Sequence, residues 1–153
     1  MKLIQSNPKN ASAVIIYKNN KVLLQKRDNK KNIFYPNYWG LFGGAKNQNE
    51  NYKLSAIREL NEELNYLICR EDIDYFFKMK IEFPIPKKIT SVFRYFYIHE
   101  IKDIKRFKKN SFLNEGSQMK FFRMGDLKNL DITPYDCFAL DLFIDVYLKK
   151  NFN

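Results

Sequence analysis

Residues 44–66 read GAKNQNENYKLSAIRELNEELNY, and the way this stretch folds decides how the rest of the chain is read. At about 100° per residue, Glu59, Glu62 and Glu63 fall within roughly a third of a helix circumference. Ala56, Ile57, Leu60 and Leu64 lie on a broad arc on the other side. The spacing predicts a helix over Asn51–Leu64 that buries its apolar arc and gathers three carboxylates on the opposite face. Asn65 stands where a helix end needs a left-handed residue, a position Asn fills second only to Gly. Like charges three and four residues apart repel by a few tenths of a kcal/mol per pair. A hard divalent cation removes that repulsion and takes carboxylate oxygens as ligands. Three glutamates alone are most simply a solvated acidic face, so the flanking residues carry the weight.

Those residues favour a metal site. Trp39–Phe42 is a short apolar run that stops at Gly43-Gly44, and a double glycine lets the backbone turn sharply and expose carbonyls beside the carboxylates. Glu50 and Arg58 are opposite charges placed to pair across the loop and brace it over the helix. The stretch resembles the Nudix box: Gly, five residues, Glu, seven residues, Arg-Glu, an aliphatic, any residue, Glu-Glu, any residue, Gly, an aliphatic. Gly44, Glu50, Arg58, Glu59, Leu60, Glu62 and Glu63 match at the required spacing. Asn65 and Tyr66 depart from the last two fixed positions, and Phe42 stands where many members carry Pro.

The resemblance implies an α/β/α sandwich, a mixed β-sheet between helices. It implies hydrolysis of a nucleoside diphosphate linked to another moiety, with Mg²⁺ or Mn²⁺. Carried over by position, Glu59, Glu62 and Glu63 would be the catalytic and metal-holding set, with the Gly43 carbonyl as a further ligand. Glu59 is the first candidate to orient or deprotonate water, and Gly44, Glu50 and Arg58 are structural braces. Glu115, beside Gly116, stands where some members place an extra metal-binding glutamate; a solvated loop residue is the plainer alternative. Arg27 lies where relatives place a phosphate-contacting base. Asp136 could accept hydrogen bonds from a purine, although its first-turn position favours helix capping. His99, lone on an apolar strand, is read as a satisfied core residue.

Around the box, Ala13–Tyr17 and Lys21–Lys26 read as strands joined at Lys18-Asn19-Asn20. Residues 28–37 are a loop. Asp74–Phe83 and Ile89–Ile101 are β-rich runs separated by Pro84-Ile85-Pro86, the second apolar on both alternating faces and so expected to be covered on both. Lys102–Gly116 is a charged connection and Met119–Met124 another strand. Thr133-Pro134 opens a last helix to about Lys149, with Asp141 and Asp145 on its wet edge.

The 153 residues fit one domain, 1–153, and 45% hydrophobic content supports a core without disulfides. Cys69 and Cys137 are expected to be reduced. No stretch is long enough for a signal peptide or a membrane span, so a cytoplasmic protein without a membrane partner is expected. The net charge of +10 either attracts polyanions or reflects a Lys- and Asn-rich composition whose scattered lysines are simply solvated. A small nucleotide, such as a nucleoside triphosphate or nucleotide sugar, is the leading substrate. The alternatives are RNA 5′-pyrophosphohydrolase activity, a non-catalytic nucleotide sensor and isoprenoid-diphosphate isomerisation. Against RNA, basic and aromatic residues form no contiguous stripe along the chain, Lys102–Lys109 being the densest cluster. The sensor usually loses box carboxylates, all retained here, and no cysteine–glutamate pairing supports isomerisation. A homodimer is left open.

Overall fold

The structure, a computed structural model, describes residues 8–85 and 88–152, with side chains described over 8–83 and 90–150. Strands β1 (Ala11–Lys18) and β2 (Lys21–Lys26) form a hairpin whose turn places Asn19 at φ 52°, the left-handed conformation expected of an Asn there. The two strands pair only near the turn, from Ile16↔Leu23 to Lys18↔Lys21, and then part. The segment 39–45 is wedged into the fork. Its first half, β3 (Trp39–Gly40), pairs with β2, and its second, β4 (Phe42–Ala45), pairs with β1. The diglycine is thereby fixed against Ser12 and Ala13 in the middle of the sheet.

Helix α1 (Tyr52–Leu64) follows, capped by the Asn51 side chain accepting from the Leu54 N–H and closed by Asn65 at φ 50°. Strands β5 (Asp74–Ile85) and β6 (Lys88–Glu100) make an antiparallel ribbon, and β6 runs parallel to β1 from Ala11↔Arg94 to Tyr17↔Glu100. Helix α2 (Ile104–Asn110), strand β7 (Gln118–Arg123) on β2, and helix α3 (Pro134–Phe152) complete the order. The main path is β3-β2-β1-β6-β5, a mixed sheet.

Strand alternation sorts the core into two layers. Ala13, Ile15, Val22, Leu24 and Phe96 pack with Ala139, Leu140 and Phe143 of α3. Val14, Ile16, Leu23, Phe42 and Tyr97 pack with Ala56, Leu60 and Leu64 of α1 and Phe107 of α2. Helices cover both faces of the central strands, as the two-sided apolar pattern of β6 predicts.

Three expectations are corrected. The connection 102–116 contains α2, which the periodicity hides because it is only seven residues long and Phe107 is its one buried residue; Asp103 caps it by accepting from Lys105 and Arg106. The break at Pro84-Ile85-Pro86 does not fall at Pro84: β5 runs through Pro84 and Ile85, which an edge strand tolerates, and Pro86 lies outside the described residues. The absence of a basic-aromatic stripe holds along the chain but not in space. Pairing of β5 with β6 sets Lys78 over both Tyr95 (5.7 Å) and Phe93 (5.8 Å), while Tyr52, at the start of α1, stacks on Tyr95 (3.7 Å) and has Lys46 over its ring (5.7 Å).

Both cysteines are free. Among the described residues no helix is long and apolar enough to cross a membrane.

Leu140 is 1% exposed at the centre of the α3 layer. Leu140→Ala is expected to cost about 2–5 kcal/mol, read as a lower urea midpoint with an unchanged slope.

Candidate functional site

The site grows from the wedge. Gly43 has φ 139°, and a Cβ there would stand 2.1 Å from the Ser12 carbonyl oxygen, so no other residue fits. At Gly44 a Cβ would meet the Glu59 carboxylate at 2.5 Å. The diglycine thus lets β4 enter the fork and lets a helix carboxylate lie against its backbone.

Glu63 departs from the expectation of three carboxylates on an open face. It is 5% exposed, on the buried side of α1. Its Oε2 accepts from the Gly43 N–H at 2.8 Å and its Oε1 from the Gln25 side-chain amide at 3.0 Å. One carboxylate therefore ties α1 to β4 and β2. Burial pushes its pKa up to about 8; the two donors pull the other way, and the charges of Glu59 and Glu115 add to the rise.

Arg58 organises the acidic residues nearer the surface. Its Nη2 and Nε grip Glu50 at 2.7 and 3.1 Å, while Nη1 reaches Glu59 at 2.7 Å and Glu62 at 3.0 Å. Nη2 also donates to the Ala45 carbonyl at 3.0 Å, pinning the loop to the helix. Glu50 in turn accepts from the Asn47 N–H, and the Arg58 fork holds it down at about 2. Burial raises Glu59, with Arg58 opposing and Glu62 and Glu115 reinforcing the rise.

Glu115 is exposed, yet it is brought near this cluster by contacts that sequence reasoning missed. Asn114 donates its backbone N–H to the Glu63 carbonyl (2.8 Å) and its side-chain amide to the Glu62 carbonyl (2.9 Å), satisfying two of the free carbonyls at the end of α1. Gly116, at φ 85°, packs on the Lys26 carbonyl and holds the loop to β2.

The donor set suits a hard divalent cation, since every candidate ligand is an oxygen. Among the described residues, however, no three His, Cys, Asp or Glu side chains converge on one point as a finished metal cage. Arg58 and the Gly43 and Gln25 donors hold the carboxylates instead. The fit lies in the electrostatics: Glu59 and Glu63 are two crowded carboxylates, both pushed toward the neutral form, and a cation would supply the missing positive charge.

A cavity of about 300 Å³ opens on the other side of Gly43, Gly44 and Ala45. Lys9, Arg27 and Arg94 contribute cations to its wall, and Phe34, Phe83 and Tyr135 contribute aromatic surface. Arg27 is positioned by its Nε–H donating to the Phe34 carbonyl at 2.9 Å. Asp136, offered as a purine acceptor with a first-turn capping role as the favoured alternative, is not open to a purine. It is 2% exposed; Oδ2 accepts from the Leu41 N–H (3.0 Å) and the Thr133 hydroxyl (2.8 Å), and Oδ1 takes Arg94 Nη2 at 3.0 Å. It clasps the start of α3 to the strand layer. Arg94 and Gln25 could have been suspected as lone polar residues within apolar strands. His99 is satisfied as expected: Nδ1–H donates to the Asp72 carbonyl (2.7 Å), leaving Nε2 to accept from Tyr66 (2.9 Å).

Glu63 makes a prediction about stability. Its folded pKa lies above the ordinary carboxylate value, so the folded state holds the extra proton between about pH 4.5 and 8. Metal-free protein should lose stability as pH rises through that window, with a slope up to about 1.4 kcal/mol per unit. Denaturant midpoints against pH should show this fall, and Glu63→Gln should flatten it.

A profile of the NUDIX domain matches residues 7–139. No curated protein sequence matches the chain. Among solved structures, the NUDIX domain of Shewanella oneidensis NrtR with ADP ribose superposes at TM-score 0.71 (13% identity, 93% of this chain, 90% of that one). The Escherichia coli dihydroneopterin triphosphate pyrophosphohydrolase superposes at 0.68 (15% identity, 87% and 92%). A bifunctional NMN adenylyltransferase/ADP ribose pyrophosphatase from Francisella tularensis, with AMP and a Mn ion, superposes at 0.63 (16% identity, 92% and 42%). At these identities the likeness is one of fold, and the profile match decides the family: the chain belongs to the NUDIX family, the family of Nudix pyrophosphohydrolases.

Proposed function

We propose that this Nudix pyrophosphohydrolase cleaves a phosphoanhydride bond in a small nucleotide, a nucleoside triphosphate or a nucleotide sugar, with Mg²⁺ or Mn²⁺. The observation that carries the reading is a shared wall: the acidic cluster and the cation-lined cavity meet at Gly43, Gly44 and Ala45. A phosphate chain lying along that backbone would have carboxylates for a metal on one side and room for a nucleoside on the other. Of the compounds in the names of the structural relatives, ADP ribose is a nucleotide sugar with a phosphoanhydride bond, AMP is a nucleotide, and dihydroneopterin triphosphate carries a triphosphate chain.

Glu59, Glu62 and Glu63 would hold the cation, with the Gly43 carbonyl and Glu115 as further ligands. When bound, it supplies Lewis acidity and neutralises charge on the phosphates. Glu59 is the base: Arg58 engages Oε1, and Oε2 is free of any such bond to accept the proton of the attacking water. Glu50 and Arg58 keep the loop and helix in register. Arg27, fixed by the Phe34 carbonyl, neutralises the phosphate that stays with the nucleoside. Because a ligand carboxylate must be ionised, Glu63 would have to be deprotonated to hold the cation.

A second reading has its own observation. The Lys46–Tyr52–Tyr95–Lys78–Phe93 stripe leads away from the 44–46 loop, and Phe93 is 41% exposed. Lysines interleaved with rings suit single-stranded RNA, which favours 5′-pyrophosphohydrolase activity.

The test is a substrate panel of nucleoside triphosphates, nucleotide sugars and 5′-triphosphorylated RNA with Mg²⁺ or Mn²⁺, reading phosphate and pyrophosphate release. Turnover of a small nucleotide is expected, and Glu63→Gln should lower it at least 100-fold with the fold intact by circular dichroism. Near-full turnover in that variant would refute the metal assignment. Tight nucleotide binding without turnover of any member would make the chain a sensor, and turnover of the RNA alone would select the second reading.

A further inference from the structure

Arg94, which lines the cavity beside the diglycine, carries an unmet donor. Arg94 projects from β6 onto the α3 face of the sheet and is 13% exposed. Its Nη2 is spent on Asp136, its guanidinium carbon lies 4.8 Å from the centre of the Tyr135 ring, and its Nε is buried with no hydrogen-bond partner. A buried N–H without an acceptor is costly, and native proteins keep few of them. The neighbouring carboxylate does not answer it: Asp136 accepts from Leu41, Thr133 and the Nη2 of Arg94, and makes no bond to this N–H.

The rest of the wall has the same polarity. The described residues lining the cavity include Lys9, Arg27 and Arg94 but no Asp or Glu. Phe34 packs against Phe83 with ring centres 4.9 Å apart, and Tyr135 lies beside Arg94, so the walls suit a flat ring. A ring that fits must bring acceptors.

We propose that this cavity selects nucleobases carrying an oxo group, of the hypoxanthine, guanine or uracil kind, over their amino counterparts, and that Arg94, held by Asp136, is the specificity-determining residue. The inference rests on reading the chain as a nucleotide-binding hydrolase and adds the base class to that reading. A 6-oxopurine presents O6 and N7 as adjacent acceptors, the pair that a guanidinium reads, and uracil presents O4. Adenine and cytosine put an amino group there, setting donor against donor. A site built to hydrogen-bond one group discriminates strongly against an analogue that leaves its buried polar atoms unpaired.

The experiment uses matched pairs. Dissociation constants for ITP and ATP, and for UTP and CTP, are measured by calorimetry on the whole protein in EDTA, and kcat/KM is measured separately with Mg²⁺. At least one pair should favour the oxo member tenfold or more, with purine riboside triphosphate, which lacks any 6-substituent, falling between ITP and ATP. In Arg94→Lys the ratio should collapse toward one through weaker oxo binding, seen as a raised KM with little change in kcat. Should Arg94→Lys fail to fold, the three purine triphosphates on the unaltered protein still decide the matter. Equal binding within each pair, preference for the amino member, no binding of any of them, or discrimination that survives Arg94→Lys would overturn the proposal. Oxo-selective binding without turnover would support it while refuting the hydrolase reading, so the two fail separately.

Discussion

The site depends on one buried carboxylate. Glu63 comes from α1, yet its oxygens take the Gln25 amide of β2 and the Gly43 N–H of β4, so three elements meet on two hydrogen bonds. Burying a charge in such a place is costly unless it is fully paired, and two neutral donors do not pair it. Burial accordingly pushes the Glu63 pKa up to about 8, toward the protonated form. Under the proposed function a divalent cation would offer the alternative, and the same residue would then serve as strut and ligand. The geometry that fixes the diglycine is thus the same geometry that raises the Glu63 pKa, and the proposed metal chemistry would draw on that carboxylate.

Much of this was legible in the residues 44–66. The spacing of Glu50 and Arg58 shows the brace, which the structure realises as a two-pronged ion pair. Asn65 is left-handed where a glycine is usual. Tyr66 replaces an aliphatic residue without loss because its ring joins the α1 layer and its hydroxyl finds His99. The brace and the helix cap are local, set by neighbours four to eight residues away, and local patterns survive in a linear reading.

What the sequence concealed is long-range. A helical wheel places Glu63 beside Glu59 and Glu62, but whether that side faces solvent depends on where β2 and β4 lie, and Glu63 proves to be inside. Asp136 looks like a free first-turn acceptor until β6 delivers Arg94 from 42 positions away. Asn114 cannot be recognised as a cap for α1 when 51 residues separate it from Glu63. The lysines and tyrosines of β5, β6 and the 44–52 segment look scattered until the sheet registers them. Each miss is a contact made by strand pairing or loop docking.

Gly43 and Gly44 stand between the Arg58-braced glutamates on the α1 side and a cavity lined by Lys9, Arg27 and Arg94. The proton on Glu63 is the central claim and can be observed directly. Carbon-13 NMR of the glutamate side-chain carboxyls, with Glu63 assigned through Glu63→Gln, would follow its titration without and with Mg²⁺. The account predicts a midpoint near pH 8 in the metal-free protein that falls by several units when magnesium is added. A Glu63 carboxyl that titrates near the ordinary value in both samples would contradict it.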